Sequence, residues 1–259
     1  MTFEFDGEKY KQASTQQKAW GRKLIAELEF KGSENILDLG CGDGLLTAEL
    51  AKLVPDGFVL GIDASESMIA TAKKYNAGAN VRFELLDINA IDFESEFDLV
   101  FSNATLHWIK DHRKLLSNVF KALKDKGTAR FQFAGDGNCS NLIRILREVT
   151  SAKNYADYFS EFDWPWYMPA VDEYRTLLDE VAFTEKRVWS ENGDKHFESA
   201  EAMIRWIDQP SLVPFLGYVA EKDRRRFRDA VVERMIKQTR QSDGTYFETF
   251  RRINVLAKK

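Results

Sequence analysis

Short, dense apolar runs mark the first half of the chain, and stretches with helical spacing separate them. Asn35-Ile36-Leu37-Asp38-Leu39 has the length and density of a strand buried on both faces. Phe58-Val59-Leu60-Gly61-Ile62-Asp63 repeats that pattern, and Val81-Arg82-Phe83-Glu84-Leu85 alternates apolar with polar. Residues 97–102 and 128–133 add two more strands. Helical spacing predicts helices over residues 8–30, with Leu24, Ile25 and Leu28 on one face, over 45–53, over 65–75, and around Leu116, Val119, Phe120 and Leu123. Alternation of this kind predicts an α/β fold, a doubly wound and mostly parallel sheet with helices on both faces. Ligands of such sheets bind at the carboxyl ends of the strands, so chemistry-bearing side chains should follow each strand.

The second half reads differently. Leu142, Ile145, Leu146 and Val149 have helical spacing, and the stretch from Tyr155 to Pro169 is rich in aromatics. A helix near 171–181, a strand near 183–190, helices over 199–209 and 221–240 and a last strand over 246–256 follow. The expected organisation is an N-terminal helical lid segment over 1–30, a ligand-binding core over 31–136, and a remainder over 137–259. That remainder completes the sheet and carries two helical insertions, about 137–170 and 195–244, as a cap.

Composition narrows the function. The chain has 259 residues, with 37 basic against 41 acidic side chains, and this balance argues against a nucleic-acid surface. The basic run Lys222-Asp223-Arg224-Arg225-Arg226 reads as a solvated helix face. Two cysteines and three scattered histidines give neither a disulfide framework nor zinc spacing, so no metal is expected. The first residues carry early charges and no apolar signal core, and no apolar run has the length of a bilayer span. A cytoplasmic protein, monomeric or weakly dimeric, with a small-molecule substrate and no membrane or nucleic-acid partner is expected.

The chemistry concentrates at strand ends. Gly40, Gly42 and Gly44, with Cys41 among them, lie between an apolar strand and a helix, where glycine permits a sharp turn and close approach of backbone to ligand. The dinucleotide fingerprint G-x-G-x-x-G requires its third glycine at position 45, which is Leu45 here, and Asp38 before the loop suits a cationic ammonium better than a pyrophosphate. Asp63, followed by Ala64 and Met68, either accepts ribose hydroxyls or caps the next helix. Asp87 either accepts from an adenine amino group, with Ile88 packing on the ring, or is a solvated turn residue. After the fourth strand come Ser102, Asn103, His107 and Trp108. His107 is a candidate base or substrate donor, or a structural histidine. Trp108 walls the pocket, attracts a sulfonium through its ring, or packs in the core.

Together these residues resemble the class I S-adenosylmethionine-dependent methyltransferases: Asp38-Leu39-Gly40-Cys41-Gly42-Asp43-Gly44 is similar to that family's first motif, and Asp63 and Asp87 match its ribose and adenine acids in location. The resemblance implies a Rossmann-like sheet of seven strands whose last, over 246–256, is antiparallel, with S-adenosyl-L-methionine as cofactor and S-adenosyl-L-homocysteine as product. It also implies cofactor contacts from Tyr10, Gln17, Asp38, Gly40, Cys41, Gly42, Asp63, Ala64, Met68, Asp87, Ile88, Ser102 and Asn103.

A narrower resemblance, to the trans-aconitate methyltransferase group, rests on Phe97–Ala104 followed by His107-Trp108 and Asp111-His112, and on Ala202–Ile207 with Leu212–Leu216. It implies methyl-ester formation on a carboxylic acid. That group commonly has an arginine where this chain has Val213, so Arg144, Arg147, Arg205, Arg251 and Arg252 are its candidate replacements. An ionised carboxylate needs alignment and desolvation rather than a base, whereas an amine or phenol acceptor needs His107 as base. An NAD-dependent oxidoreductase and a non-catalytic cofactor-binding protein are the competing readings.

Overall fold

A computed structural model describes residues 15–259. In chain order it contains α1 (Thr15–Ala26), β1 (Asn35–Leu39), α2 (Leu45–Leu53), β2 (Phe58–Asp63), α3 (Glu66–Tyr75), β3 (Val81–Leu85), β4 (Phe97–Asn103), α4 (His112–Ala122) and β5 (Leu123–Ala134). There follow α5 (Ser140–Thr150), α6 (Val171–Asp179), β6 (Glu185–Asn192), β7 (Lys195–Phe197), α7 (Ala200–Trp206), α8 (Val213–Leu216), α9 (Glu221–Thr239), β8 (Tyr246–Glu248) and β9 (Arg251–Lys258).

The seven-stranded sheet has the order β3-β2-β1-β4-β5-β9-β6. β1 runs parallel to both β2 and β4, and β5 parallel to β4. The order reverses between β1 and β4, which opens a crevice at the carboxyl ends of these two strands. β9 is antiparallel to β5, from Thr128 opposite Lys258 to Ala134 opposite Arg252. This orientation brings the start of β9 to the same sheet edge as the end of β5.

The apolar runs form strands here because both faces are covered. Leu37 and Leu39 lie in a core with Val100, Phe131, Phe133 and Ile253, whereas Ile36 lies in a second core with Leu24, Leu50, Val59 and Phe101. Each fully buried side chain of this size contributes about 1.5–3 kcal/mol.

Packing within the chain defines two compact units. The first takes in the chain up to Asp136, Trp166–Glu191 and Arg252–Lys259, and the second Gly137–Pro165 and Asn192–Arg251. In the second unit the aromatic stretch packs on itself: Phe162 and Trp164 meet Phe215, Phe159 meets Phe227, and the Arg147 guanidinium lies 4.7 Å from the Trp164 ring centre. Trp166 belongs instead to the first unit, edge-on to Trp108.

Three sequence expectations need correction. The described part of the first helix ends at Ala26, not near residue 30, because the chain tightens there: Leu28 N–H returns to Ile25 O and the Glu34 carboxylate takes the N–H groups of Lys31 and Gly32. The last strand is two strands, not one. β8 pairs with β7, whereas β9 joins the large sheet. The break follows Glu248, whose buried carboxylate accepts from the N–H groups of Asn141, Leu142 and Thr249 at 3.2, 2.9 and 2.7 Å and so caps the start of α5. The fifth strand begins at Leu123, earlier than the expected 128, because Leu123 already pairs with Phe97 of β4. No helix among the described residues is long and apolar enough to cross a membrane.

Candidate active site at the carboxyl ends of the strands

The glycine loop occupies the crevice at the end of β1. Gly40 and Gly44 have φ of +75° and +78°, where a side chain is strained. A Cβ on Gly40 would lie 2.1 Å from the Thr105 methyl, and one on Gly44 would lie 2.7 Å from the Phe83 ring. The loop therefore packs against the chain after β4 on one side and β3 on the other. Gly40 and Cys41 both donate to Ile62 O at 2.9 Å, and the Thr105 hydroxyl donates to Gly40 O at 3.1 Å.

Asp63 ends β2 half-buried and joins the loop to the next helix. One carboxylate oxygen accepts from Gly42 N–H and the other from Ser65 N–H, each at 3.0 Å. Ser65 itself caps α3 by accepting from Met68 N–H. Capping thus falls mainly to Ser65. Ala64 is half-buried, and Met68 is buried in the first turn of α3.

Asp38 is placed differently from a residue at the mouth of the loop. It is buried under the loop, where the Thr47 hydroxyl of α2 donates to it at 2.7 Å. Burial raises its carboxyl to about 7, with the Thr47 bond opposing and the Asp63 charge adding to the rise. Cys41 is also buried, and burial pushes its thiol up. A contact absent from the sequence reading ties α1 to this loop: Lys18 Nζ pairs with Asp43 at 2.7 Å, both side chains largely buried.

At the end of β3, Asp87 is half-buried and accepts from Asn89 N–H and the Asn89 amide, each at 2.8 Å. Ile88 is buried in the main core.

After β4 the polar groups converge. Ser102 is fully buried and donates to Leu39 O at 2.8 Å, which locks β4 to the base of the loop. Asn103 donates to Gln17 O of α1 at 2.9 Å, while its Oδ1 is a buried acceptor with no partner. Ala104, at φ +57°, turns the chain toward Thr105 and the short 3-10 turn Leu106–Trp108. His107 sits on that turn with its Nδ1 buried and unpartnered. Burial holds the ring well below its ordinary pKa, and the charges of Arg252 and His112 add to the effect. Behind the turn, buried His112 bonds through Nε2 to Leu106 O and through Nδ1 to the Tyr174 hydroxyl, each at 3.0 Å. Since Leu106 O can only accept, the Nε2–H tautomer donates to it and Nδ1 accepts from Tyr174.

The strand-end rule thus brings Gly40, Gly42, Asp63, Asn103 and His107 to one edge of the sheet, with Gln17 meeting them from α1. Tyr10 lies outside the described residues. Sequence reasoning missed Lys18, Thr105 and the Gln132–Arg252 pair, in which Arg252 Nε and Nη2 both donate to Gln132 Oε1, at 3.0 and 2.9 Å. Only helical or strand spacing around them was readable, because their partners are distant in the chain.

A family model described as a methyltransferase domain matches residues 30–183. An uncharacterized methyltransferase of Schizosaccharomyces pombe is 31% identical, covering 92% of this chain and 91% of its own length. The trans-aconitate 2-methyltransferase of Deinococcus radiodurans is 30% identical, with 86% of each chain covered. Among solved structures, a phosphoethanolamine N-methyltransferase of Haemonchus contortus, in complex with phosphomonomethylethanolamine and S-adenosylhomocysteine, superposes with a TM-score of 0.59 at 21% identity. That match covers 93% of this chain, which spans only 52% of the Haemonchus protein, and it speaks to the fold alone. The sheet order, the glycine loop at its switch point and a family match over more than half of the sequence agree, and the chain belongs to the methyltransferase-domain family as a class I S-adenosylmethionine-dependent methyltransferase.

Proposed function

We propose that this enzyme methylates a carboxylate of a small organic acid, giving a methyl ester. When bound, S-adenosylmethionine supplies an electrophilic methyl group on a sulfonium. The residues at the strand ends suit that cofactor. Gly40 and Gly44, at left-handed φ and packed where a Cβ would strike Thr105 and Phe83, hold the loop backbone tightly turned at the end of β1, where its N–H groups can meet a ligand. Asp63 offers a carboxylate to a ribose diol, and Asp87 with Ile88 offers an acceptor and an apolar surface to an adenine. The unpartnered Asn103 Oδ1 suits a cationic ammonium. Asp38 acts from below, holding β1 to α2 through Thr47.

The observation that carries the choice of acceptor is the state of His107. Burial and neighbouring positive charge keep its imidazole neutral and weakly basic. A weak base suits an acceptor that is already ionised near neutral pH, as a carboxylate is. The chain then aligns the acceptor and excludes water, effects that supply up to about 7–11 kcal/mol. His107 and Trp108, edge-on to Trp166 at 5.7 Å, form a wall beside the reacting group rather than a proton relay. The name of the Deinococcus relative supports the same class of acceptor.

His107→Ala separates this reading from methylation of an amine or phenol through a base. Turnover on a carboxylate should stay within about tenfold of the parent enzyme, with a flat rate between pH 6 and 8. A loss of about 10²–10⁴-fold with cofactor affinity intact is the signature of a general base and would refute the proposal.

A further inference from the structure

The short turn Leu106–Trp108 is held by its carbonyls, one after another. Thr105 O accepts from Trp108 N–H at 3.0 Å, Leu106 O from Ile109 N–H at 3.0 Å and His107 O from Tyr167 N–H at 2.8 Å. Leu106 O takes a second donor, His112 Nε2–H at 3.0 Å, so both of its lone pairs are engaged. His112 is the first residue of α4, and the centres of the Phe133, Tyr167 and Tyr174 rings lie 5.4, 4.8 and 5.3 Å from its own. It therefore supports the turn twice, through Leu106 O and through the ring of Tyr167, whose own N–H holds His107 O.

Filling the core does not require this imidazole. His112 and Tyr174 are both buried, in a core that contains Leu106, Leu116 and Phe133. Apolar groups of the same shape can replace a buried hydrogen-bonded pair at little cost in stability. What the pair adds is direction. The Tyr174 hydroxyl donates to Nδ1 at 3.0 Å, and that bond leaves the ring hydrogen on Nε2, aimed at Leu106 O. Without the hydroxyl the hydrogen can pass to Nδ1, and the Nε2 lone pair would then meet those of Leu106 O. The hydroxyl thus fixes the tautomer, and the tautomer fixes the carbonyl that precedes His107.

We propose that His112 and Tyr174 are positioning residues for methyl transfer, acting through the Leu106 carbonyl to hold His107 and Trp108 beside the reacting group. The inference rests on the placement of that turn beside the methyl acceptor, and not on the choice of a carboxylate. A slip of the turn would move the backbone and Trp108, with its edge-on contact to Trp166, as well as His107. In-line transfer tolerates little of this, since a misplacement of about 1 Å can cost about 100-fold in rate.

Three variants test the pair, with trans-aconitate as acceptor and at temperatures well below melting. Tyr174→Phe removes one hydroxyl and keeps the ring, and His112→Met fills the site without hydrogen-bonding nitrogens. Each should lower kcat by about 10–100-fold and leave S-adenosylhomocysteine affinity, read by calorimetry, within about threefold. His112→Gln can still accept from Tyr174 and donate to Leu106 O, so its kcat should stay within about threefold of the parent. A merely structural pair would move the melting temperature alone. Parental kcat in folded Tyr174→Phe overturns the assignment, and so does His112→Gln if it loses as much as His112→Met. If His112→Met does not fold, Tyr174→Phe against His112→Gln decides. A parent that transfers no methyl group to trans-aconitate counts against the proposed acceptor, and nitrogen-15 NMR of the histidine rings then decides the pair. The chain has three histidines, so His107→Ala assigns the His107 signals. Tyr174→Phe should split or broaden those signals, and His112→Gln should keep them single. His107 signals left unchanged by Tyr174→Phe overturn the assignment.

Discussion

Asp63 links two parts of the site, because its two oxygens take N–H groups from the glycine loop and from the turn into α3. Asp63→Ala leaves both donors without that partner and removes the carboxylate proposed for the ribose. Calorimetry with S-adenosylhomocysteine should show affinity falling by about 10–100-fold, the range for a hydrogen bond to a charged group. Two buried groups shape stability against pH with opposite signs. Burial lowers His112 to about 4, so the unfolded chain binds its proton first, and stability is present above pH 6.5 and lost as pH falls toward 4. Asp38, raised to about 7, remains protonated in the fold while the unfolded chain ionises, so its contribution is present below about pH 4 and lost as pH rises to 7. His112→Gln isolates the first effect. Urea unfolding at pH 7 and pH 5 should show the parent losing about 2 kcal/mol more on acidification than the variant. An equal loss in both would mean that His112 does not titrate as its burial implies.

Among the elements, the strands were the most legible. Ile36, Leu37 and Leu39 are apolar on both faces because helices cover both, and that pattern needs no long-range information. The glycine loop was legible for a related reason, since Gly40 and Gly44 occupy left-handed positions that local sequence must satisfy. Gly40→Ala adds both a left-handed penalty and a clash with Thr105, together about 2–5 kcal/mol, so its melting temperature should drop by several degrees. An unchanged melting temperature would mean that the loop relaxes freely. The ties between elements were not legible. Lys18 meets Asp43 across 25 residues and Arg252 meets Gln132 across 120, and periodicity records only which face a residue occupies. The break between β8 and β9 escaped notice because Glu248 looks like a solvated strand residue and is instead a buried cap for α5. Lys18→Met would leave the largely buried Asp43 without its cation, at a cost of about 3–5 kcal/mol. Chemical denaturation is the measurement, and a change below about 1 kcal/mol would show that the pair does not secure α1 to the loop.

For the whole molecule, fold class followed from the alternation of strands and helices, but the course of the second half did not. Its aromatic residues divide between two units, Trp164 packing with Phe215 in one and Trp166 against Trp108 in the other, although they are two positions apart in sequence. Family membership identifies the methyl donor, and the low basicity of His107 suits the carboxylate acceptor proposed above. The most direct test is transfer of a labelled methyl group from S-adenosylmethionine to a panel of carboxylic acids, amines and phenols, with the product identified by mass. Label is expected in a methyl ester that mild alkali releases, formed from a carboxylic acid. Label found only on nitrogen or on a phenolic oxygen, with no carboxylic acid methylated, would contradict it.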